Sequence, residues 1–483
     1  MASDEANKRP PVLQRGVTCW RIEQARRVAL LVDGAAYFHA MKLAMEKAHR
    51  SILVLGWDFD PRVCIEPDDG DVPGETFHGL MQRLLARRTS LLVHILIWDM
   101  SWPFAIQRRV GPRQAQQWMA GDRLHYRIDS NHPVGAAHHQ KILVVDDSIA
   151  FCGGSDFTRN RWDTPAHLPR DGRRRTRDGA IYGPRHDVVM AVDGAAAQAL
   201  GSLVRERWLR ATEVQLQPPG GRGNGWPRDL EPDAEDVSVG IARTEPALLQ
   251  RPEVREAEAL HLHAIAAAKR WIYIENQYFT SPVIGAALAK RLEVPDGPEI
   301  IVICPLHSGG ITDRLAMDHA RNDLIYRLHK ADRHGRFRAF APLAEEDVAI
   351  TVHSKVVIVD DWLLRVGSAN MNNRSLGLDT ECDLAIEAGS GSGPLKTAVF
   401  RFLLRLLAEH LNSSADLVEQ RIYSRGSVLA GIDELNSTRG RRLHEFLADA
   451  PDLLDRFFGA THLFDPLGVA DNWRPWRRIG GSA

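Results

Sequence analysis

His139-Gln140-Lys141-Ile142-Leu143-Val144-Val145-Asp146, with Gly153-Gly154-Ser155-Asp156 a few residues on, decides the fold of this 483-residue chain because it occurs twice. The second copy is His353-Ser354-Lys355-Val356-Val357-Ile358-Val359-Asp360, followed by Gly367-Ser368-Ala369-Asn370. The spacings from His to Lys, from Lys to Asp and from Asp to the first Gly are the same in both copies. Agreement in residue type and spacing at so many positions marks a duplication.

Ile142-Leu143-Val144-Val145 predicts a strand buried on both faces, and period-2 alternation then projects His139 and Lys141 from one face of it. A nucleophile or proton donor thus stands beside a fixed positive charge. The small residues Gly153, Gly154, Gly367 and Ser368 let backbone come close to a ligand, and Asn370 adds an amide donor for a phosphate oxygen. Displacement at a phosphodiester needs a nucleophile on one side of phosphorus and a proton donor for the leaving oxygen on the other. Two facing histidines supply both, and two lysines neutralise the charge on the non-bridging oxygens. The pattern calls for no cofactor and no metal.

At these positions the sequence resembles the phospholipase D superfamily, whose signature is this His-x-Lys-x4-Asp pattern in duplicate. It is most similar to the phosphatidylcholine-hydrolysing branch known best from eukaryotes. The residues carrying that likeness are Phe151-Cys-Gly-Gly-Ser-Asp-Phe-Thr-Arg-Asn-Arg-Trp-Asp-Thr164, Tyr182-Gly-Pro-Arg-His-Asp187 and Ile272-Tyr-Ile-Glu-Asn-Gln-Tyr-Phe279. Asp156, where the second copy has Asn370, is expected of this branch. The matches extend from about Arg26 to Ile386. The resemblance implies a covalent phosphohistidine on His139, with His353 protonating the leaving alcohol. Lys141, Lys355 and Asn370 would hold the phosphate, and Asp187 and Glu381 would bond to the catalytic imidazoles. The implied reaction is hydrolysis of a glycerophospholipid headgroup ester, or transfer of the phosphatidyl group to an alcohol.

Lone residues of these kinds usually have structural roles. Asp146 and Asp360 are best read as loop-fixing acceptors, and Ser155 lacks the Gly-x-Ser-x-Gly elbow of a nucleophile. For the two histidines the duplicated context favours catalysis.

The repeat extends beyond the motif. Ala40 to Trp57 and Ala259 to Glu275 each predict an amphipathic helix followed by a strand, and each precedes a further helix, an apolar strand (Leu91 to Trp98; Ile300 to Pro305) and then the motif. The fold class is therefore α/β, as two pseudo-twofold-related α/β sandwich halves of the phospholipase D kind with the active site at their interface. The proline-, glycine- and acid-rich stretch Pro218 to Asp236 predicts a linker. The expected organisation is a tail over 1–15, a first half over 16–213, a linker over 214–236, a second half over 237–411 and a C-terminal extension over 412–483.

Hydrophobic content of 44% and charged content of 25% are ordinary globular values, and the chain is long enough for two cores. A net charge of −1 supplies no basic field for nucleic acid, which argues against the superfamily's nucleases. The basic run Arg170 to Asp178 predicts a solvated loop, or a rim that attracts anionic headgroups. Five scattered cysteines argue against a disulfide framework and for a reducing compartment, with Cys382 a small buried hydrophobe. No apolar leader or membrane-length run is present. The expected setting is thus cytoplasmic or peripheral to a membrane bearing the phospholipid substrate, with export by a route without a cleaved signal also open. A monomer is compatible with the whole pattern. The aromatic end, Phe457 through Trp473 and Trp476, predicts packing against the second half, or an interfacial anchor. Three other readings of the chain are a cardiolipin-synthase-like phosphatidyltransferase, a nuclease and a non-catalytic lipid-binding scaffold; the intact motifs weigh against the last.

Overall fold

The computed structural model describes residues 10–67, 74–99, 121–176, 178–220, 223–310, 314–389, 393–447, 449–462 and 464–472. Trp473, Trp476, Arg177 and the first nine residues, on which sequence expectations were placed, lie outside the described residues.

The apolar run of the first motif forms a strand with every residue buried, and the second does the same. Burying each such aliphatic side chain contributes about 1.5–3 kcal/mol. In chain order the first half supplies β1 (Arg21–Val32), β2 (Ser51–Gly56), β3 (Leu92–Trp98), β4 (Leu124–Asp129), β5 (Ile142–Val145), β6 (Ile149–Gly153), β7 (Arg185–His186) and β8 (Val188–Asp193). The second supplies β9 (Ala234–Glu245), β10 (Val254–Arg255), β11 (Trp271–Asn276), β12 (Glu299–Ile303), β13 (Phe337–Leu343), β14 (Thr351–Val352), β15 (Lys355–Val359), β16 (Leu363–Gly367) and β17 (Glu381–Glu387), with β18 (Arg442–Glu445) beyond it.

All of these strands except β7 and β14, which pair with each other, make one mixed sheet whose order reveals the twofold relation. Outward from β1 the order is β8, β6, β5, β2, β3, β4; outward from β9 it is β17, β16, β15, β11, β12, β13, with β18 added at that edge. On both sides the first four pairings are antiparallel and the last two parallel. The halves join through a long antiparallel pairing of β1 with β9, from Arg21 opposite Ile241 to Val28 opposite Ala234. Helices cover both faces. α1 (Asp33–Glu46) and α2 (Phe77–Arg87) enclose a core in the first half, whereas α3 (Gly194–Thr212) lies over the other face. The counterparts α4 (Glu256–Ala267), α5 (Pro282–Glu293) and α6 (His319–Ala331) enclose a core in the second half, and α7 (Pro394–His410) shares the opposite face with α3.

Asp146 and Asp360 show why the motif ends in an aspartate. Each sits at φ +50°, a left-handed conformation that Asp tolerates better than most residues. Asp146 accepts the N–H groups of His49, Arg50 and Ser51 at 2.6–2.8 Å, and Asp360 those of Lys269, Arg270 and Trp271 at 2.7–3.1 Å. Each carboxylate clamps the turn that leads into β2 or β11. Asp360→Ala would leave three of these N–H groups unsatisfied, so equilibrium denaturation should register a loss of about 3 kcal/mol; a loss below about 0.5 kcal/mol would refute the clamp.

Segments between and beyond the motifs pack more than their composition predicts. Val12 and Leu13 are buried in the second-half core, and their N–H groups bond to Glu387. Trp226, in the proline- and glycine-rich stretch, is buried in the first-half core. The basic run is not simply a solvated loop: Arg174 is fully buried against Asp163, while Arg170 is exposed. The C-terminal segment docks on the second half. Asp455 bonds to His319, and Asp465 accepts from Thr280 and from the N–H groups of Asn373 and Arg374. No helix among the described residues is long and apolar enough to cross a membrane.

Candidate active site

Each motif histidine lies just ahead of its strand, beside a segment of the opposite half. The His139 N–H donates to Thr380 O at 2.9 Å, at the start of β17. The His353 N–H donates to His186 O at 2.8 Å, continuing the parallel pairing of β14 with β7. The next residue in each case is an acid, so the acids serve the histidines crosswise. Nδ1 of His139 contacts Glu381 Oε1 and Oε2 at 2.9 and 3.0 Å, and Nδ1 of His353 contacts Asp187 Oδ2 at 3.0 Å. A carboxylate on Nδ1 leaves Nε2 of each ring as the nitrogen available for chemistry.

A serine from each motif tail fixes each acid in turn. Ser368 Oγ donates to Glu381 Oε2 at 2.5 Å, and Ser155 Oγ donates to Asp187 Oδ2 at 2.8 Å. Gly154 is required by close approach, because a Cβ there would stand 2.1 Å from Asp187 Oδ1 and 2.8 Å from the His353 carbonyl oxygen.

Each lysine folds back onto its own histidine. Lys141 Nζ donates to His139 O at 3.0 Å and lies 3.3 Å from Asp156 Oδ2. Lys355 Nζ donates to His353 O at 2.6 Å and to Gln277 Oε1 at 2.9 Å. The two sets converge electrostatically. Burial first, then Lys141 and Lys355, holds His139 well below the ordinary imidazole value. Burial, then Lys355 with Arg185, Arg161 and Lys141, does the same to His353. A lysine from each half therefore reaches each ring. Burial also raises both acids, Glu381 up to about 8.

Asn370 is buried, and its Oδ1 has no hydrogen-bond partner among the described residues. Asp156, its first-half counterpart, accepts the Trp57 N–H at 2.8 Å. His139 retains 16% side-chain exposure against 7% for His353.

The chain has recognisable relatives and a structural neighbour. Residues 261–396, which contain the second motif, match a family described as cardiolipin synthase, PLD-like domain. Phospholipase D1 of Schizosaccharomyces pombe is 25% identical over 82% of this chain and 36% of its own length. Phospholipase D A of Dictyostelium discoideum is 26% identical over 80% of this chain and 35% of its own length. The likeness is to the phospholipase D superfamily. The chain spans about a third of the length of these two relatives. A phosphatidylserine synthase of Haemophilus influenzae shares the fold, with a TM-score of 0.53 and 15% identity over 86% of this chain and 96% of that one.

Within this site, sequence reasoning missed three side chains. Arg161, Arg185 and Gln277 add two guanidinium groups and an amide to the lysine pair. The Nε atoms of Arg161 and Arg185 are buried without a hydrogen-bond partner among the described residues. All three residues occur in the stretches that carry the family likeness, so the signal was present; what was absent was any indication of which side chains turn inward.

Proposed function

We propose that the chain is a phospholipase D-type phosphodiesterase acting on glycerophospholipids at a membrane surface. The observation that carries this reading is the crosswise pair of histidines, each tied at Nδ1 to an acid of the other half, with a lysine from each half acting on both rings. Nε2 of His139 attacks phosphorus, the bond to the headgroup oxygen breaks, and His353 gives that oxygen its proton. Binding of an anionic phosphodiester between the lysines offsets their effect on the rings, so His353 becomes protonated with substrate in place. In the second step His353 takes the proton of water or of a primary alcohol, whose oxygen displaces Nε2 from phosphorus. Lys141, Lys355 and Asn370 hold the non-bridging oxygens throughout.

The test is alcohol trapping. Incubation with phosphatidylcholine vesicles and ethanol should release choline and form phosphatidylethanol, since the acceptor enters only after the headgroup has left. Absence of turnover on vesicles of phosphatidylcholine, phosphatidylethanolamine, phosphatidylserine and phosphatidylglycerol alike would sink the proposal.

A further inference from the structure

Directly behind the His353–Asp187 pair lies a buried group of side chains that the phosphodiester chemistry does not use. It comprises Asp33 at the start of α1, His167 in the loop after the first motif, His186 in β7 and Glu409 in α7. Their exposures are 1%, 1%, 0% and 7%, and one donor atom from each lies within 4.8 Å of all the others. Two histidines and two carboxylates alternate around a common centre. His186 Nδ1 is 2.7 Å from Glu409 Oε1 and 3.2 Å from Asp33 Oδ1; His167 Nε2 is 3.0 Å from Glu409 Oε1 and 3.5 Å from Asp33 Oδ2. A tetrahedron with metal–ligand bonds of about 2.0–2.1 Å has edges of about 3.3 Å; with one donor atom taken from each residue, Oδ2 for Asp33, the separations of 2.7, 3.0 and 3.5 Å straddle that value.

Two further observations point to a cation at that centre. Asp33 Oδ2, buried and directed at His167, has no hydrogen-bond partner among the described residues. The ring nitrogen of each histidine that faces away from the centre is also held by a carboxylate: His167 Nδ1 by Asp163 at 2.9 Å and His186 Nε2 by Glu275 at 2.8 Å. A carboxylate behind each imidazole is the usual second layer of a metal site, because it fixes the ring and keeps the inward nitrogen free of its proton.

We propose that Asp33, His167, His186 and Glu409 bind one divalent transition-metal ion, of which zinc best suits two imidazoles and two carboxylates. The site is closed, with every ligand buried and all four ligand positions taken by protein, so its role is structural. Charge balance permits the exchange. One dication replaces the two inward ring protons that the histidines would otherwise carry, so Asp33, Glu409, Asp163 and Glu275 remain equally compensated. The ion ties the first half to the helix that follows the second motif, one residue from Asp187, whose N–H lies 3.3 Å from Asp33 Oδ1.

The test is metal content, which does not depend on the substrate reading above. The purified chain, dialysed against chelator at neutral pH, should retain about one zinc per molecule and release it to a colorimetric indicator only on unfolding in guanidinium. Anomalous scattering at the zinc edge should place the ion among these four residues. Asp33→Asn should lose it. The proposal is overturned if folded chain carries less than about a tenth of an equivalent of metal, both as isolated and after refolding with zinc. It is equally overturned if nitrogen NMR shows His167 and His186 as imidazolium ions with no metal, or if the anomalous peak lies elsewhere.

Discussion

The His139→Ala variant is expected to lose phosphohistidine labelling entirely and phosphodiester turnover by about 10⁴- to 10⁶-fold, because no other nucleophile can take the place of Nε2. The companion variant His353→Asn separates the two roles. With an aryl phosphodiester the leaving phenolate needs no proton, so His353→Asn should still form the covalent adduct and then stall, since no base activates the incoming water. Rapid mixing should show a burst of about one equivalent of phenol from His353→Asn and none from His139→Ala. The opposite pattern would exchange the assigned roles. The greater exposure of His139 fits its assignment, as the attacking nitrogen must reach phosphorus.

Glu381→Gln should lower kcat by about 10²- to 10⁴-fold while the protein stays folded. Ser368 Oγ donates to Oε2 of the native carboxylate. In the variant that hydroxyl selects the amide oxygen and turns the NH2 group toward His139. Nδ1 must then accept a hydrogen bond, the ring proton moves to Nε2, and the attacking nitrogen is blocked. Stability should move in the other direction. Burial holds the Glu381 carboxyl up to about 8, against an ordinary value of 4.5. Its folded value thus lies above its unfolded one, and folding loses stability as pH rises from about 4.5 to about 8. Gln carries no such slope. Relative to the native chain, thermal unfolding of the variant should therefore improve between pH 5 and pH 8; a variant destabilised more at pH 8 than at pH 5 would contradict the buried-acid account.

Much of the fold was legible because its signals are local. The apolar runs after Lys141 and within the second motif became β5 and β15, since four consecutive branched apolar residues suit a strand covered on both faces. The aspartates that end them are turn clamps, as their short side chains favour. Other segments misled through composition. Arg174 in a basic run and Trp226 in a proline- and glycine-rich stretch are both buried, because one ion pair or one aromatic ring can outweigh the polarity of its neighbours.

By itself the sequence determined the duplication, the strand that carries each motif and the identity of the histidine and lysine pairs, because all of these are set by spacings of a few residues. Only the tertiary structure decided which acid serves which histidine: Glu381 lies 242 residues from His139, and Asp187 lies 166 residues from His353. The physical reason is the antiparallel joining of β1 to β9, which sets the halves about a common axis so that the strand leaving each motif runs beside the acid-bearing segment of the other. The same closure gathers Asp33, His167, His186 and Glu409, four residues with no shared spacing, into one buried centre.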